Sequence, residues 1–287
     1  MHTWRQLIAL SGDYLASRKV DEAMVVAELL AARLLNCSRG FLAPHLDKEA
    51  SEVLVNAMRR GLARLVKGEP IQYILGEWDF RSLTLKCDKR ALIPRPETEE
   101  LVSRVLNFAK SQNYSSPPLV VDVGTGSGCI ILSLAKEMKD GIFLGIDISP
   151  EAISLAKENA SLCGLEGKIK FAVADGLDDF DEPGIIDIIV SNPPYITSAD
   201  CQTLDPKIRN WEPMTALDGG ASGLDFYERY ISDALNLLKP GGAVFFEIGE
   251  AQGEQVRQLL FESGFDEIKI EKDYSGHDRY ASAILKN

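Results

Sequence analysis

The chain has 287 residues, of which 45% are hydrophobic, and this suits one large or two moderate globular domains. It has no apolar run near the roughly 20 residues that cross a bilayer and no secretory signal pattern at its start, so we expect a cytoplasmic protein without a membrane partner. The net charge of −12 is uneven, +3 over residues 1–90 and −15 over residues 91–287, and so acidic a C-terminal part disfavours a nucleic-acid partner.

Residues 1–75 are predicted to form a small helical bundle. A first helix has its apolar residues on one face, a second follows Asp21, which is a suitable N-cap, and a third covers residues 48–67. The apolar faces consist of Trp4, Leu7, Ile8, Tyr14 and Leu15 in the first helix, Val26, Leu29, Leu30 and Leu34 in the second, and Val55, Met58, Leu62 and Leu65 in the third. Such stripes are typical of a core. The slightly basic outer surface could also meet an acidic partner.

Residues 76–95 are predicted to form a β-hairpin that links two domains, because the segment from Trp78 to Cys87 alternates in polarity. Two prolines two residues apart, Pro94 and Pro96, then force an extended chain. Acidic residues follow Pro96 and favour the positive end of a helix dipole, so a helix is expected to begin there.

Residues 96–287 are predicted to form the largest domain, with strands and helices in alternation. The expected strands cover residues 119–123, 142–147, 169–173, 185–190, 243–248, 267–271 and 281–285, and the expected helices cover 130–139, 150–163, 223–238 and 252–263. Alternation of this kind indicates an α/β fold, a mainly parallel, doubly wound sheet with helices on both faces.

The strand at 185–190 runs directly into Asn192-Pro193-Pro194-Tyr195. Neither proline can donate a backbone N–H, so strand pairing must stop there. Open α/β sheets bind their ligands at this carboxyl edge. The Asn192 oxygen and the Pro193 carbonyl could each accept one hydrogen of a planar NH₂ group, with Tyr195 covering its plane. Taken alone, a double proline is also what an ordinary turn after a strand would show.

A glycine-rich turn follows the strand at 119–123, in the sequence Gly124-Thr125-Gly126-Ser127-Gly128. Glycines let the backbone turn tightly and let a ligand approach closely, while the helix that follows points its free N–H groups at an anion. Asp147, 23 residues beyond Gly124, ends the next strand, where an acid can accept two ribose hydroxyls. The pair predicts an adenosine-containing cofactor. A dinucleotide fingerprint would need glycine at position 129, which is Cys129.

The G-x-G-x-G spacing after Asp122 resembles the cofactor loop of class I S-adenosylmethionine-dependent methyltransferases, which have a Rossmann-like fold. The resemblance implies that the glycine turn holds the methionine end of S-adenosyl-L-methionine and that Asp147 binds the ribose. It also implies that Asp175 reads the adenine amino group, although a plain turn aspartate is an equal alternative. The family often has an aromatic after that acid, where this chain has Gly176, so either Leu177 or Phe180 replaces that packing or the adenine is held more loosely.

A methyltransferase loop combined with Asn192-Pro193-Pro194-Tyr195 resembles enzymes that methylate planar NH₂ nitrogens, on DNA bases or on protein glutamines. Such a nitrogen has its lone pair in resonance, so holding both hydrogens and orienting the nitrogen matters more than a strong base. No side-chain nucleophile is expected. The five cysteines are scattered, without a Cys-x-x-Cys pair, and are predicted to be reduced thiols, and the three histidines lie too far apart to suggest a metal site.

Several separated segments are similar to the release-factor glutamine methyltransferases over nearly the whole chain: Tyr73–Gly76, Ile93–Glu99, Gly219–Leu224, Glu247–Gly249 and Asp273–Arg279. The resemblance implies methylation of the glutamine in the Gly-Gly-Gln loop of peptide-chain release factors, with S-adenosyl-L-homocysteine as product. It implies substrate binding by Asn192, Pro193, Pro194 and Tyr195, of which Asn192, Pro193 and Tyr195 act in catalysis and Asn192 also meets the cofactor. The helical bundle is then expected to recognise the substrate protein, and the enzyme is expected to be a monomer.

Three rival interpretations remain at this stage. A ribosomal-protein glutamine methyltransferase would perform the same reaction on another partner. A DNA adenine methyltransferase would need a basic target-recognition region, which the charge of −15 over residues 91–287 disfavours. A binding module that has lost catalysis would not be expected to keep the cofactor loop, the acid and the amide clamp together.

Overall fold

The computed structural model describes residues 2–286, which divide into two compact units. The first unit contains the chain up to Glu77 together with Pro206–Trp211. The second unit contains Trp78–Asp205 and the chain from Glu212 onward. Among the described residues, no helix combines the length and the apolar character that crossing a membrane requires.

The first unit is helical, with α1 (Trp4–Ser17), α2 (Ala23–Leu34), α3 (Glu52–Val66) and α4 (Ile71–Leu75), and with short 3₁₀ turns at Arg39–Phe41 and Ala43–His45. Thr3 and Gln6 form a reciprocal capping box that fixes the start of α1. The predicted apolar faces pack inward, and Trp4, Leu15 and Met58 are almost completely buried. Tyr14 is an exception, because it is 40% exposed at the edge of that face.

The prediction that Asp21 caps α2 is wrong. The residue that precedes this helix is Glu22, in a left-handed conformation with φ of 49°, and it makes no side-chain capping bond. The carboxylate of Asp21 instead pairs with Lys207 Nζ at 3.0 Å, within the same unit. The carboxylate that local sequence suggested as a helix cap therefore forms an ion pair with a lysine far away in the sequence.

The second unit contains a hairpin and a seven-stranded sheet with helices on both faces. The hairpin strands are β1 (Glu77–Phe80) and β2 (Leu83–Lys86), and the sheet strands are β3 (Leu119–Val123), β4 (Ile142–Asp147), β5 (Ile169–Val173), β6 (Ile186–Ser191), β7 (Leu238–Glu247), β8 (Phe265–Lys272) and β9 (Asp278–Leu285). The helices are α5 (Pro96–Ser111), α6 (Cys129–Glu137), α7 (Pro150–Leu162), α8 (Ser198–Cys201), α9 (Pro206–Arg209, in the first unit), α10 (Asp225–Leu237) and α11 (Gly253–Glu262), with a 3₁₀ turn at Met214–Ala216.

The strand order is β5-β4-β3-β6-β7-β9-β8, in which β3 to β7 are parallel and β9 is antiparallel to both of its neighbours. This confirms the predicted α/β, mainly parallel, doubly wound sheet. From β3 the chain first builds outward through β4 and β5 and then returns to place β6 on the other side of β3. Ligands of open α/β sheets bind at such a switch in direction.

Alternate residues of the central strands point to two different core layers. In β3, Val120 packs with α5 and α6, and Val121 packs with α10 and α11. The hairpin predicted as a linker contributes Phe80, Leu83 and Leu85 to the first of these layers. Burial on both faces explains why the central strands read as unbroken apolar runs in the sequence.

Candidate active site

The glycine turn and the Asn192 segment lie side by side because their strands are neighbours. In the parallel β3–β6 pair, Asp122 is opposite Val190, so the residues that follow each strand emerge at the same edge. Ser191 Oγ donates to the carbonyl of Val123 at 2.6 Å and joins the two strand ends. A cleft opens here. It is lined by Gly124, Thr125, Gly126, Ser127, Asp147, Asn192 and Pro194 from the predicted site, and by residues 90–95 of the segment before α5.

The glycine turn owes its shape to left-handed backbone conformations. Gly124, Gly126 and Gly128 have φ angles of 73°, 56° and 82°, a region that side chains disfavour. A Cβ on Gly128 would also lie 3.0 Å from Leu132 Cδ1 of α6 and 3.2 Å from Ala156 Cβ of α7, so Gly128 is packed between these helices and does not line the cleft. A Cβ on Gly126 would meet only one side-chain atom, at 3.7 Å, because this glycine faces the open cleft.

Asp147 is anchored by the turn that it faces. Its two carboxylate oxygens accept from Gly126 N at 2.8 Å and Ser149 N at 2.9 Å. Burial raises the pKa of Asp147, and each oxygen keeps a further lone pair. A carboxylate held in this way is suited to accept two neighbouring hydroxyls, so the residues present fit the ribose of an adenosine-containing cofactor.

Asp122 lies beneath the same turn and is completely buried. Thr125 Oγ1 donates to its Oδ2 at 2.6 Å, whereas its Oδ1 has no hydrogen-bond partner among the described residues. Burial raises the pKa of Asp122 to about 7. An acceptor left unsatisfied in this way is costly to the fold and is typical of functional sites.

Asn192 follows β6 at the cleft, and its carboxamide is held from behind. Its Nδ2 donates to Thr98 Oγ1 at 3.2 Å, and Thr98 Oγ1 donates to Glu247 Oε2 at 2.6 Å. Thr98 and Glu247 are both buried, and burial raises the pKa of Glu247 to about 7. The amide nitrogen of Asn192 therefore donates to a hydroxyl that is itself directed at a buried carboxylate.

The rest of the Asn-Pro-Pro-Tyr segment is supported by its backbone. Pro193 is buried, Pro194 lines the cleft, and Tyr195 packs against the core layer beside α10 and α11. Gln252 Nε2 donates to the carbonyl of Tyr195 at 3.0 Å. The chain at Gly219 approaches so closely that a Cβ there would lie 2.6 Å from the carbonyl oxygen of Pro194. The glycine-rich segment around Gly219 therefore packs closely behind the Asn-Pro-Pro-Tyr segment.

Among the predicted site residues, Gly128, Pro193, Tyr195 and Asp175 are not part of the cleft lining. Of these, Asp175 forms an ion pair with α10. Its carboxylate pairs with Arg229 Nη1 of α10 at 2.6 Å and is exposed on its other side. Leu177 is buried in the core layer of α10 and α11, and Phe180 packs against that layer. None of these three side chains lines the cleft.

Sequence reasoning missed three carboxylates or hydroxyls that shape the cleft. Glu212 is buried; its oxygens accept from Ile93 N at 3.1 Å and from Arg95 Nη2, which fixes the wall formed by residues 91–95. No pattern in the sequence around Glu212 signals this. Thr98 and Glu247 lie in two segments that carry the family resemblance, Ile93–Glu99 and Glu247–Gly249, but neither residue was given a role. Glu247 ends an apolar strand at the same edge as Asp147, and that position could have identified it.

The cleft offers hydrogen-bond acceptors and backbone amides more than nucleophiles. Cys129 lies at its base, but burial raises the pKa of this thiol to about 12, and only the thiolate is a good nucleophile. The arrangement is therefore suited to bind and orient two reactants, and covalent catalysis by the protein is not indicated.

Comparison with known proteins agrees with this chemistry. A family model described as "Methyltransferase domain" matches residues 118–263, and one described as "PrmC N-terminal domain" matches residues 6–76. The solved structure of a methyltransferase from Pyrococcus furiosus has a TM-score of 0.52 and 16% identity, covers 78% of this chain and 98% of its own, and shows a shared fold.

Relatives in sequence are more specific. The release factor glutamine methyltransferase of Geobacter sulfurreducens is 36% identical over 282 residues, which are 96% of this chain and 95% of that protein. The release factor glutamine methyltransferase of Chlorobaculum tepidum is 35% identical over 288 residues, which are 98% of this chain and 97% of that protein. Similarity at this level over both units shows that the chain belongs to the release factor glutamine methyltransferase family.

Proposed function

We propose that this protein transfers a methyl group from S-adenosyl-L-methionine to the side-chain amide nitrogen of the glutamine in the Gly-Gly-Gln loop of a peptide-chain release factor. The observation that carries the proposal is the adjacency of the glycine turn and Asn192 at one edge of the sheet. The names of the relatives support the substrate.

In this proposal the cofactor lies along the glycine turn. The backbone from Gly124 to Ser127 receives its methionine end, and Asp147 accepts the ribose hydroxyls. The cofactor supplies an electrophilic methyl group on a sulfonium. Asp175 pairs with Arg229 through Oδ1, which leaves Oδ2 as the acceptor for the adenine amino group.

The substrate amide is held by acceptors. Asn192 Oδ1 and the Pro193 carbonyl each accept one amide hydrogen, Tyr195 covers the plane, and Pro194 closes the cleft. Two acceptors raise the electron density on nitrogen and fix the direction of its lone pair. Transfer would form the new N–C bond as the C–S bond to the methyl group breaks, which would leave S-adenosyl-L-homocysteine, and one amide hydrogen would leave as a proton to water. Orientation of this kind is worth orders of magnitude in rate when a reactant is otherwise a poor nucleophile.

The helical unit is proposed to recognise the release factor and the second unit to perform the transfer. We propose that the enzyme acts in the cytoplasm, as a monomer. Transfer of a tritiated methyl group tests the substrate when a release factor and its Gln→Ala loop variant are offered side by side. Label is expected on the natural factor alone, and equal label on both would reject the glutamine target.

Asn192→Ala tests the clamp. We expect turnover to fall by about a hundredfold or more because one orienting acceptor is lost, while cofactor affinity, measured by calorimetry, persists because the glycine turn and Asp147 are intact. Asn113→Ala, in the exposed loop after α5, is the matched control and should behave like the unsubstituted protein. Equal losses of turnover and of cofactor affinity in Asn192→Ala would contradict the assignment.

A further inference from the structure

Three side chains from different elements form a line that ends at the substrate position. Thr98 lies in the first turn of α5, Glu247 ends β7, and Asn192 follows β6. Thr98 Oγ1 is 2.6 Å from Glu247 Oε2 and 3.2 Å from Asn192 Nδ2. Thr98 and Glu247 are 2% exposed, so water does not compete for these bonds.

Glu247, at the buried end of this line, determines which group donates and which accepts in each hydrogen bond. An ionised carboxylate can only accept hydrogen bonds, so the hydroxyl hydrogen of Thr98 must point at Glu247. The oxygen of Thr98 is then left as an acceptor. It can bond only to the NH₂ side of the Asn192 carboxamide, which turns Oδ1 away from Thr98 and toward the cleft.

We propose that Thr98 and Glu247 are positioning residues, which fix the carboxamide of Asn192 so that its oxygen, and not its NH₂ group, faces the substrate amide. An amide NH₂ group in that place would oppose the two hydrogens of the substrate nitrogen. The proposal rests on the role proposed above for Asn192 and adds the reason why this side chain presents its acceptor.

The surroundings of Glu247 allow the ionised form that this line requires. Burial raises the pKa of Glu247 to about 7, and the bonds from Thr98 and Asn192 together with Arg279 oppose that rise. Tyr227 Oη donates to the backbone carbonyl of Glu247 at 2.9 Å and holds the strand end in place. The other titratable groups whose charge acts on or responds to Glu247 are Glu97, Cys129, Tyr195 and Tyr280. Assays at about pH 8.5 keep Glu247 ionised.

Thr98→Val tests the line because valine fills the same space without a hydroxyl. We expect kcat to fall by about tenfold or more as the Asn192 amide loses its fixed orientation, with cofactor affinity and melting temperature close to those of the unsubstituted protein. Thr98→Ser should restore most of the lost turnover. Glu247→Gln should lower kcat severalfold, because a carboxamide no longer dictates the direction of the Thr98 hydroxyl. Unchanged kcat in Thr98→Val or in Glu247→Gln would overturn the proposal.

A double-mutant cycle separates positioning from general structural support. If Thr98 acts through Asn192, adding Thr98→Val to Asn192→Ala should cost less than about a further twofold in kcat. Full additivity would overturn the proposal, and this comparison holds even if Thr98→Val loses some stability. If Asn192→Ala itself keeps normal turnover, the proposed amide clamp fails. If Asn192→Ala loses turnover and Thr98→Val does not, only the positioning line fails.

Discussion

Asp147 is held by backbone amides of two segments, the glycine turn that is proposed to receive the cofactor and the residues that follow β4. Its oxygens accept from Gly126 N and Ser149 N, and Asp147 lines the cleft. An anchored carboxylate loses little freedom when it binds a ligand, which favours affinity. Its position in the sequence, at the end of a strand and 23 residues after Gly124, was enough to predict it.

Asp147→Ala is therefore expected to weaken cofactor binding. Loss of the acceptors for two hydroxyls should cost about 2–4 kcal/mol of binding free energy, since bonds to a charged group contribute roughly 1.5–3 kcal/mol each and part of that is recovered by water. Titration calorimetry with S-adenosyl-L-methionine measures the change. Asp140→Ala, an exposed aspartate just before the other end of β4, is the control, and similar affinities for the two variants would remove Asp147 from the ribose site.

Whether the sequence could identify the role of a residue depends on how far away in the chain its hydrogen-bond partners lie. The glycine turn and Asn192 each follow a strand directly and Asp147 ends one, so local pattern was enough to place them at the carboxyl edge. Asp175 also follows a strand, but Arg229, 54 residues later in the chain, pairs with it outside the cleft. The backbone bond of Glu212 spans 119 residues, and no local pattern encodes contacts of that separation.

At the scale of elements, strand order decides which loops meet. The bounds of β3, β4, β5 and β6 could be predicted within one residue because an apolar run is bounded by turn residues. The strand β7 begins five residues before its predicted start at residue 243, because Lys239, Pro240, Gly241 and Gly242 read as a turn. No run of residues in the sequence indicates that β3 and β6 are adjacent in the sheet. Their adjacency follows from the reversal of strand order after β5, and it brings two motifs 68 residues apart into contact through Ser191 and Val123.

The backbone at Gly219 lies very close to the backbone of the Asn-Pro-Pro-Tyr segment. A Cβ there would lie 2.6 Å from Pro194 O and 2.8 Å from Tyr195 Cα, both of them backbone atoms that cannot rotate away. Gly219→Ala should therefore displace the Asn-Pro-Pro-Tyr segment and lower kcat by about tenfold or more, with cofactor affinity nearly unchanged. Gly40→Ala, where a Cβ would meet nothing within 4 Å, is the matched control. Normal kcat in Gly219→Ala would show that this close packing does not position the segment.

At the scale of the molecule, the second unit keeps two carboxylates buried, Asp122 and Glu247, and burial raises the pKa of each to about 7. Their ordinary pKa values are 3.8 and 4.5. Between these values and pH 7 the folded state binds more protons than the unfolded state, so the unfolding free energy falls as the pH rises. The site is thus maintained at a cost in stability that is largest where the enzyme is proposed to work.

Asp122→Asn should show how much the buried charge of Asp122 lowers the unfolding free energy. The substitution keeps the shape of the side chain, and an amide oxygen can still accept from Thr125 Oγ1, but the variant has no buried charge to desolvate. At pH 8 its unfolding free energy should exceed that of the unsubstituted protein by on the order of 2–4 kcal/mol, given about 1.4 kcal/mol per unit of pKa shift, less the cost of burying an unpartnered NH₂ group. At pH 4, where Asp122 is protonated in the folded protein, the difference should nearly disappear. Urea unfolding at both pH values, without cofactor, measures it, with Asp140→Asn as the exposed control. A difference of the same size at both pH values would mean that Asp122 does not carry a buried charge at pH 8.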